Sequence, residues 1–295
     1  SLTGVGTGTA HTFLGLKAEP VTFAPGASVE ASSISAVVIA ASVSVGAASS
    51  GAVSLAIAVS LADNVVDNTT QALVDDAAVI SGGSLIIDAA AEGRIDVVAV
   101  GLSASIAGSG GSSFSGAGAG TGVTNTVSGL VQAGVIGADV GLGQPVSAAG
   151  PLEIGATHAA SIQADSVAAA ISVSVGSSLA VGVAVAGATA DNVVSTETSA
   201  LIASSDVDTD GGVSVTADND TAIRTSVTAA ALSVAAGGGM NFSAAGSVSV
   251  ATNDDDSVTE ASILDSTVDP GGALAVTATN DTSITSIVTS ASLSV

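Results

Sequence analysis

Acids are the only chemistry-bearing side chains that this sequence holds in quantity: 26 Asp and Glu stand against 3 Lys and Arg, 2 His and no Cys. One run, Asp206-Val207-Asp208-Thr209-Asp210-Gly211, alternates carboxylates and ends on glycine. Hard oxygen ligands at that spacing, followed by a residue that permits a sharp turn, form the first half of a calcium loop. The second half is missing. An EF-hand carries Glu at the twelfth loop position, where this chain has Ala217, and the next unit replaces Asp206 by Thr267 and Asp210 by Gly271. Asn253-Asp254-Asp255-Asp256 is a second acidic cluster. Calcium at Asp206, Asp208 and Asp210, or at Asp254, Asp255 and Asp256, is the one cofactor these residues suggest. The simpler reading is two solvated acidic turns.

Catalysis needs convergent polar groups of shifted acidity, and the usual suppliers are scarce. His158 lies four residues before Ile162, in the slot that Asn219 and Asn280 fill in later units, which reads as an exposed turn. His11 stands in an atypical N-terminal stretch. Arg94 interchanges with Ser161, Ala222 and Ser283, and Arg224 with Asp96, Gln163 and Thr285, as solvent-facing positions do. No glycine-rich loop followed by Lys is present to cradle phosphate. A polysaccharide-cleaving β-helix enzyme is the catalytic alternative, since that fold can place two carboxylates across a sugar. Its cleft would also need aromatic platforms and basic groups, and the chain has no Trp or Tyr and 4 Phe. An ice-binding rod would need regular Thr rows, and the Thr residues here are scattered. The residues therefore predict no enzyme. The formal charge of −23 repels nucleic acid and anionic membranes.

What must position these residues is a repeat. Ile34, Ile95, Ile162, Ile223 and Ile284 recur at separations of 61, 67, 61 and 61, each opening a run of small apolar residues. Asn64, Asn125, Asn192 and Asn253 recur at 61, 67 and 61, and glycine turns fall at Gly83, Gly150, Gly212 and Gly272. The 67-residue unit carries about six extra residues near Val135 to Ala149. The units run near 34–94, 95–161, 162–222 and 223–283, with a partial unit at 284–295, and residues 1–30 form an atypical cap or assembly segment. Each unit reads as a glycine turn, a short strand, an Asn/Asp/Thr turn, a long strand from the anchor Ile, a Gly-rich turn, a strand, the Asn anchor and a last strand.

Fold class follows as all-β. A unit of about 61 residues divides into three turns of roughly 20, the size of one coil of a parallel β-solenoid, where small side chains stack at about 4.8 Å. The alternative is a series of antiparallel meanders packed as sandwiches. Sandwiches bury large aromatics, whereas Phe13, Phe23, Phe114 and Phe242 do not fall at the repeat period. The charge-free stretches Ala31 to Ala62 and Val167 to Ala190 are long enough for a membrane helix. They alternate instead, as in Ile171-Ser172-Val173-Ser174-Val175, and without Trp or Tyr no barrel girdle can form, so no membrane insertion is expected.

The acids gather between each Asn anchor and the next Ile, so a solenoid would carry an acidic stripe beside a neutral face suited to lateral packing. The pattern of a Gly-Gly turn, Val-Ser-Val-Thr-Ala at 213–217, Ile223, an Ala/Val/Ser/Gly run and Asn192-Val193-Val194 resembles repeats of very large bacterial surface proteins, namely leukotoxin-type filamentous adhesins and filamentous haemagglutinin-like exoproteins. The resemblance covers about residues 26 to 295. It implies a secreted or cell-surface rod that attaches cells to surfaces, to one another or into a matrix such as a biofilm, and carries over no functional residue. Scarce basic residues depart from many such adhesins and suggest a saline habitat. The expected partners are copies of the chain, end to end or laterally, and cell-surface or matrix polymers. A calcium-stabilised spacer of a giant adhesin is the alternative.

Overall fold

The computed structural model describes residues 2–14, 27–28, 32–138 and 145–295. Every pairing of strands is parallel, which removes the antiparallel sandwich alternative and establishes a parallel β-solenoid. Three sheets make up its sides. The first holds β1 (Leu2–Leu14), β4 (Gly51–Asp75), β7 (Ser112–Ile136), β10 (Leu179–Ala203), β13 (Met240–Asp255) and β14 (Val258–Leu264). The second holds β2 (Ala27–Ser28), β3 (Ser32–Ala48), β6 (Leu85–Ser109), β9 (Leu152–Gly176), β12 (Val213–Ala236) and β16 (Leu274–Ser294). A narrow third sheet holds β5 (Val79–Ser81), β8 (Val146–Ala148), β11 (Asp206–Thr209) and β15 (Thr267–Pro270). Leu2–Leu14, within the segment read as a cap, is the first strand of the first sheet; 15–26 and 29–31 lie outside the described residues.

One coil is therefore the whole unit of 61 or 67 residues, not three turns of about 20. Asn64 bonds Asn125 at a separation of 61 residues and Asn125 bonds Asn192 at 67. The Asn219-Asp220-Thr221 word, expected to be a turn, lies inside the uninterrupted strand β12, and the Asn192 anchor, read as the joint between two strands, lies inside the 25 residues of β10. Each coil is thus two long strands facing one another, closed by a Ser or Gly turn at one end and by the short third strand at the other. At about 3.3 Å per residue the 25-residue strands of β6 and β7 extend about 80 Å. The step from 61 to 67 falls between Ile136, opposite Asp75, and Val146, opposite Val79, which places the inserted residues inside the expected window.

The corner between the first and third sheets is left-handed in coil after coil. Asp76, Gly137, Ser204 and Asp265 have φ of 45°, 69°, 49° and 47°, and successive amides there donate to Ile136, Ala203 and Leu264. No single residue type marks this corner, so a sequence search for glycine passes over it. Near the third sheet the interior is filled by Leu85, Leu152, Ile154 and Val213, and the anchor isoleucines stack in register beyond them, fully enclosed at Ile95, Ile162 and Ile223. Toward the Ser/Gly turns the two sheets close together. A Cβ built on Gly101 would stand 2.6 Å from the backbone oxygen of Gly120, with the Thr121 methyl at 3.2 Å, so the side chains between the sheets there are small. Among the described residues no helix is long and apolar enough to cross a membrane.

Candidate functional site

The acidic run of β11 obeys strand alternation: Val207 and Thr209 point inward, while Asp206 and Asp208 point outward. Parallel register sets Asp208 beside Asp269 and Asp206 beside Thr267. A shallow groove on this narrow edge is lined by Pro145, Asp206, Val207, Asp208, Thr267 and Asp269. Asp210 lies past the end of β11 and is not part of that lining. In the second cluster alternation splits the acids: Asp254 and Asp256 face outward, and Asp255 turns inward. Its carboxylate accepts from the Ser257 amide at 3.2 Å and the Thr282 hydroxyl at 2.7 Å. Among the described residues, no three His or acidic side chains are arranged to hold a metal ion.

Histidine 158 is not an exposed turn residue. It occupies the slot read from the sequence, opposite Asn219, but that slot faces the interior and His158 is 1% exposed. Nδ1 lies 3.1 Å from Asn219 Oδ1, and Asn219 Nδ2 donates to Asn280 Oδ1 at 2.9 Å. Nδ1–H is thus the donor, and Nε2 is left buried without a partner. Burial lowers the histidine pKa and favours the neutral ring, outweighing the bond to Asn219 and the charge of Asp255, which favour the protonated form. A second column runs through the four Asn anchors, with Nδ2 to Oδ1 distances of 2.8, 2.6 and 2.8 Å from Asn64 to Asn253. Such ladders satisfy the buried amides of Asn125 and Asn192 from the coils above and below, which is why Asn sits mid-strand here; at the start of the column Asn64 Oδ1, beside Gly4, is buried without a partner.

A third polar column fills the thin end of the solenoid. Ser44, Ser54, Ser105, Ser115 and Ser172 join hydroxyl to hydroxyl at 2.9 to 3.0 Å, crossing repeatedly between the two long sheets. Outside, Arg94 grips Asp96 through Nε and Nη2 at 2.9 and 2.6 Å, both in water, which adds little stability. The position of Arg94 opposite Ser161 agrees with the solvent-facing reading. Phe114 and Phe242, expected to ignore the repeat, share one outward column with Val53 and Val181. They are two coils apart, a spacing hidden when only neighbouring units are compared.

The chemistry these columns support is structural: neutral amides and hydroxyls bonded to their own kind. No family model, no curated protein and no solved structure matches the chain.

Proposed function

We propose that this chain is a structural, adhesive segment of a secreted or cell-surface assembly, which joins surfaces, cells or matrix through its faces and ends rather than through a reaction centre. The observation that carries this reading is the register. Each coil repeats the interior of the one before it, Ile on Ile and Asn on Asn, so any coil is a template for the next. The resemblance of the repeat rhythm to filamentous adhesins supports the same reading. Negative-stain microscopy and light scattering of the 295-residue chain test it. Filaments or higher oligomers are the expected outcome, and a chain that stays monomeric at every concentration ends the assembly reading.

A second reading, a calcium-stabilised spacer of a large adhesin, draws on Asp206, Asp208 and Asp269 lining one groove. Calcium bound there would raise the melting temperature by mass action relative to chelator. An identical melt in both conditions discards it.

A further inference from the structure

Half of each coil is built inside out. In β9, Ser172 and Ser174 are fully buried while Ile171 and Val175 are 43% and 48% exposed. In β4, Ser54, Ala56, Ala58 and Ser60 face inward, whereas Val53, Leu55, Ile57, Val59 and Leu61 face outward, Val53 at 75% exposure. A register slip of one residue would bury these side chains, and the close approach of the sheets forbids it. The outward apolar surface continues across the coils, through Phe114, Val185, Phe242 and Val248 on the first sheet and Leu102, Ile106, Ile171 and Leu293 on the second. It also excludes charge. From Val97 to Gly137, from Ser166 to Ala190 and from Thr225 to Asn253 there is no Asp, Glu, Lys, Arg or His. Apolar side chains that face outward over hydroxyls imply surroundings drier than water.

We infer that both outer faces of this uncharged half are docking surfaces for second copies of the same chain, which stack sheet on sheet with their acidic halves held apart in water. Three observations select a copy as the occupant. A molecule of net charge −23 meets its own kind without repulsion only where charge is absent. An area of eleven residues by four strands is about 36 by 19 Å, or about 700 Å², close to the roughly 800 Å² that each partner contributes to a standard stable interface. The relief is self-matching over three coils: on the second sheet the ridge Ile171, Leu232, Leu293 runs beside the trough Ala169, Ala230, Ala291, so an inverted copy presents a ridge to each trough across β9, β12 and β16, whereas in β6 the order reverses, with Leu102 in the trough column and Ala104 in the ridge column. Lipid is disfavoured, because β4 pairs with β1 and β7 and not with the facing sheet; the two sheets stay open, and open edges are not tolerated in hydrocarbon.

This inference rests on the reading of the chain as an assembling structural protein but concerns growth in width, not length. The test compares the 295-residue chain with Val185→Glu, Leu232→Glu, their combination, and Ser195→Glu as a control on the acidic half, by sedimentation and negative-stain microscopy. All three positions face outward, and circular dichroism confirms that each variant folds. Laterally paired or ribbon-like particles are expected for the parent and for Ser195→Glu. Each single variant should weaken lateral association about a hundredfold or more, because a carboxylate would be buried unpaired, and the combination should leave single-width particles. Lateral association unchanged in the combined variant overturns the inference, as does a parent of single width at every concentration. Flotation of the parent with phosphatidylcholine vesicles in place of self-association overturns it in favour of lipid. Single-width filaments from the parent would leave the functional reading standing while removing this one.

Discussion

At His158 a titratable ring sits in a column that is otherwise Asn, and its neutrality links stability to pH. The unfolded ring protonates near its ordinary value of 6.5, whereas the buried ring resists protonation until lower pH. Between those values the unfolded chain binds more protons, so stability falls as pH is lowered through that window. His158→Asn places the residue of the later coils in the slot. Its melting temperature should change less between pH 7.5 and pH 5.5 than that of the parent, and a parallel decline in both proteins would show that His158 is not the linked group. The Asn column makes a second test. Asn125→Ala strips Asn64 Nδ2 and Asn192 Oδ1 of their partners, each buried, and should cost about 2–6 kcal/mol in denaturant unfolding at about 1–3 kcal/mol per orphaned group. A loss no greater than that of an exposed Ser→Ala change would mean that water enters and restores the bonds.

At the scale of the strand, two positions set the spacing between the long sheets. Ile162 fills the wide part of the interior; Ile162→Ala should cost about 2–4 kcal/mol, because rigid neighbours above and below hold the cavity open. Gly101 sets the narrow part, and Gly101→Ala, whose methyl would meet the Gly120 carbonyl, should cost about 1–3 kcal/mol in the same unfolding measurement. A neutral Gly101→Ala would indicate that the sheets part easily there. These elements also show how much was legible in the amino-acid order. The repeat of Ile and Asn, the parallel solenoid and the inserted residues all follow from spacing, because register preserves separation. The strand limits did not. Asn, Asp and Thr are turn formers in isolation, so Asn219-Asp220-Thr221 reads as a break, and its interior ladder exists only when another coil supplies the partner. The expectation of three short coils came from the usual coil size of about 20 residues, and reading the Asn219 slot as a turn put His158 outside. The alternation Ile171 to Val175 was visible, but which phase faced inward depends on the distance to the opposite sheet, which no local pattern encodes.

The whole molecule divides its chemistry along the coil: acids and the wide apolar interior toward the third sheet, hydroxyls within and hydrocarbon without toward the Ser/Gly turns. Solubility should therefore depend on ionic strength in an unusual sense. Salt screens the acidic halves over about 10 Å at 0.1 M and so removes the opposition to association while leaving the apolar faces unchanged. Particle size by light scattering should rise with added sodium chloride, and particles that shrink with salt would mean that ion pairs, not apolar faces, hold the copies together.

The length of the coil has a geometric outcome of its own. A solenoid climbs about 4.8 Å per coil whatever the coil contains, so a unit of 61 residues gains about a third of the height that three coils of about 20 residues would give. As a tether such a chain is short for its mass. What it gains is breadth, a wall about 80 Å deep laid down one thin course at a time, with two broad flanks exposed for every step upward. Masonry, more than rope, is the material this coil makes.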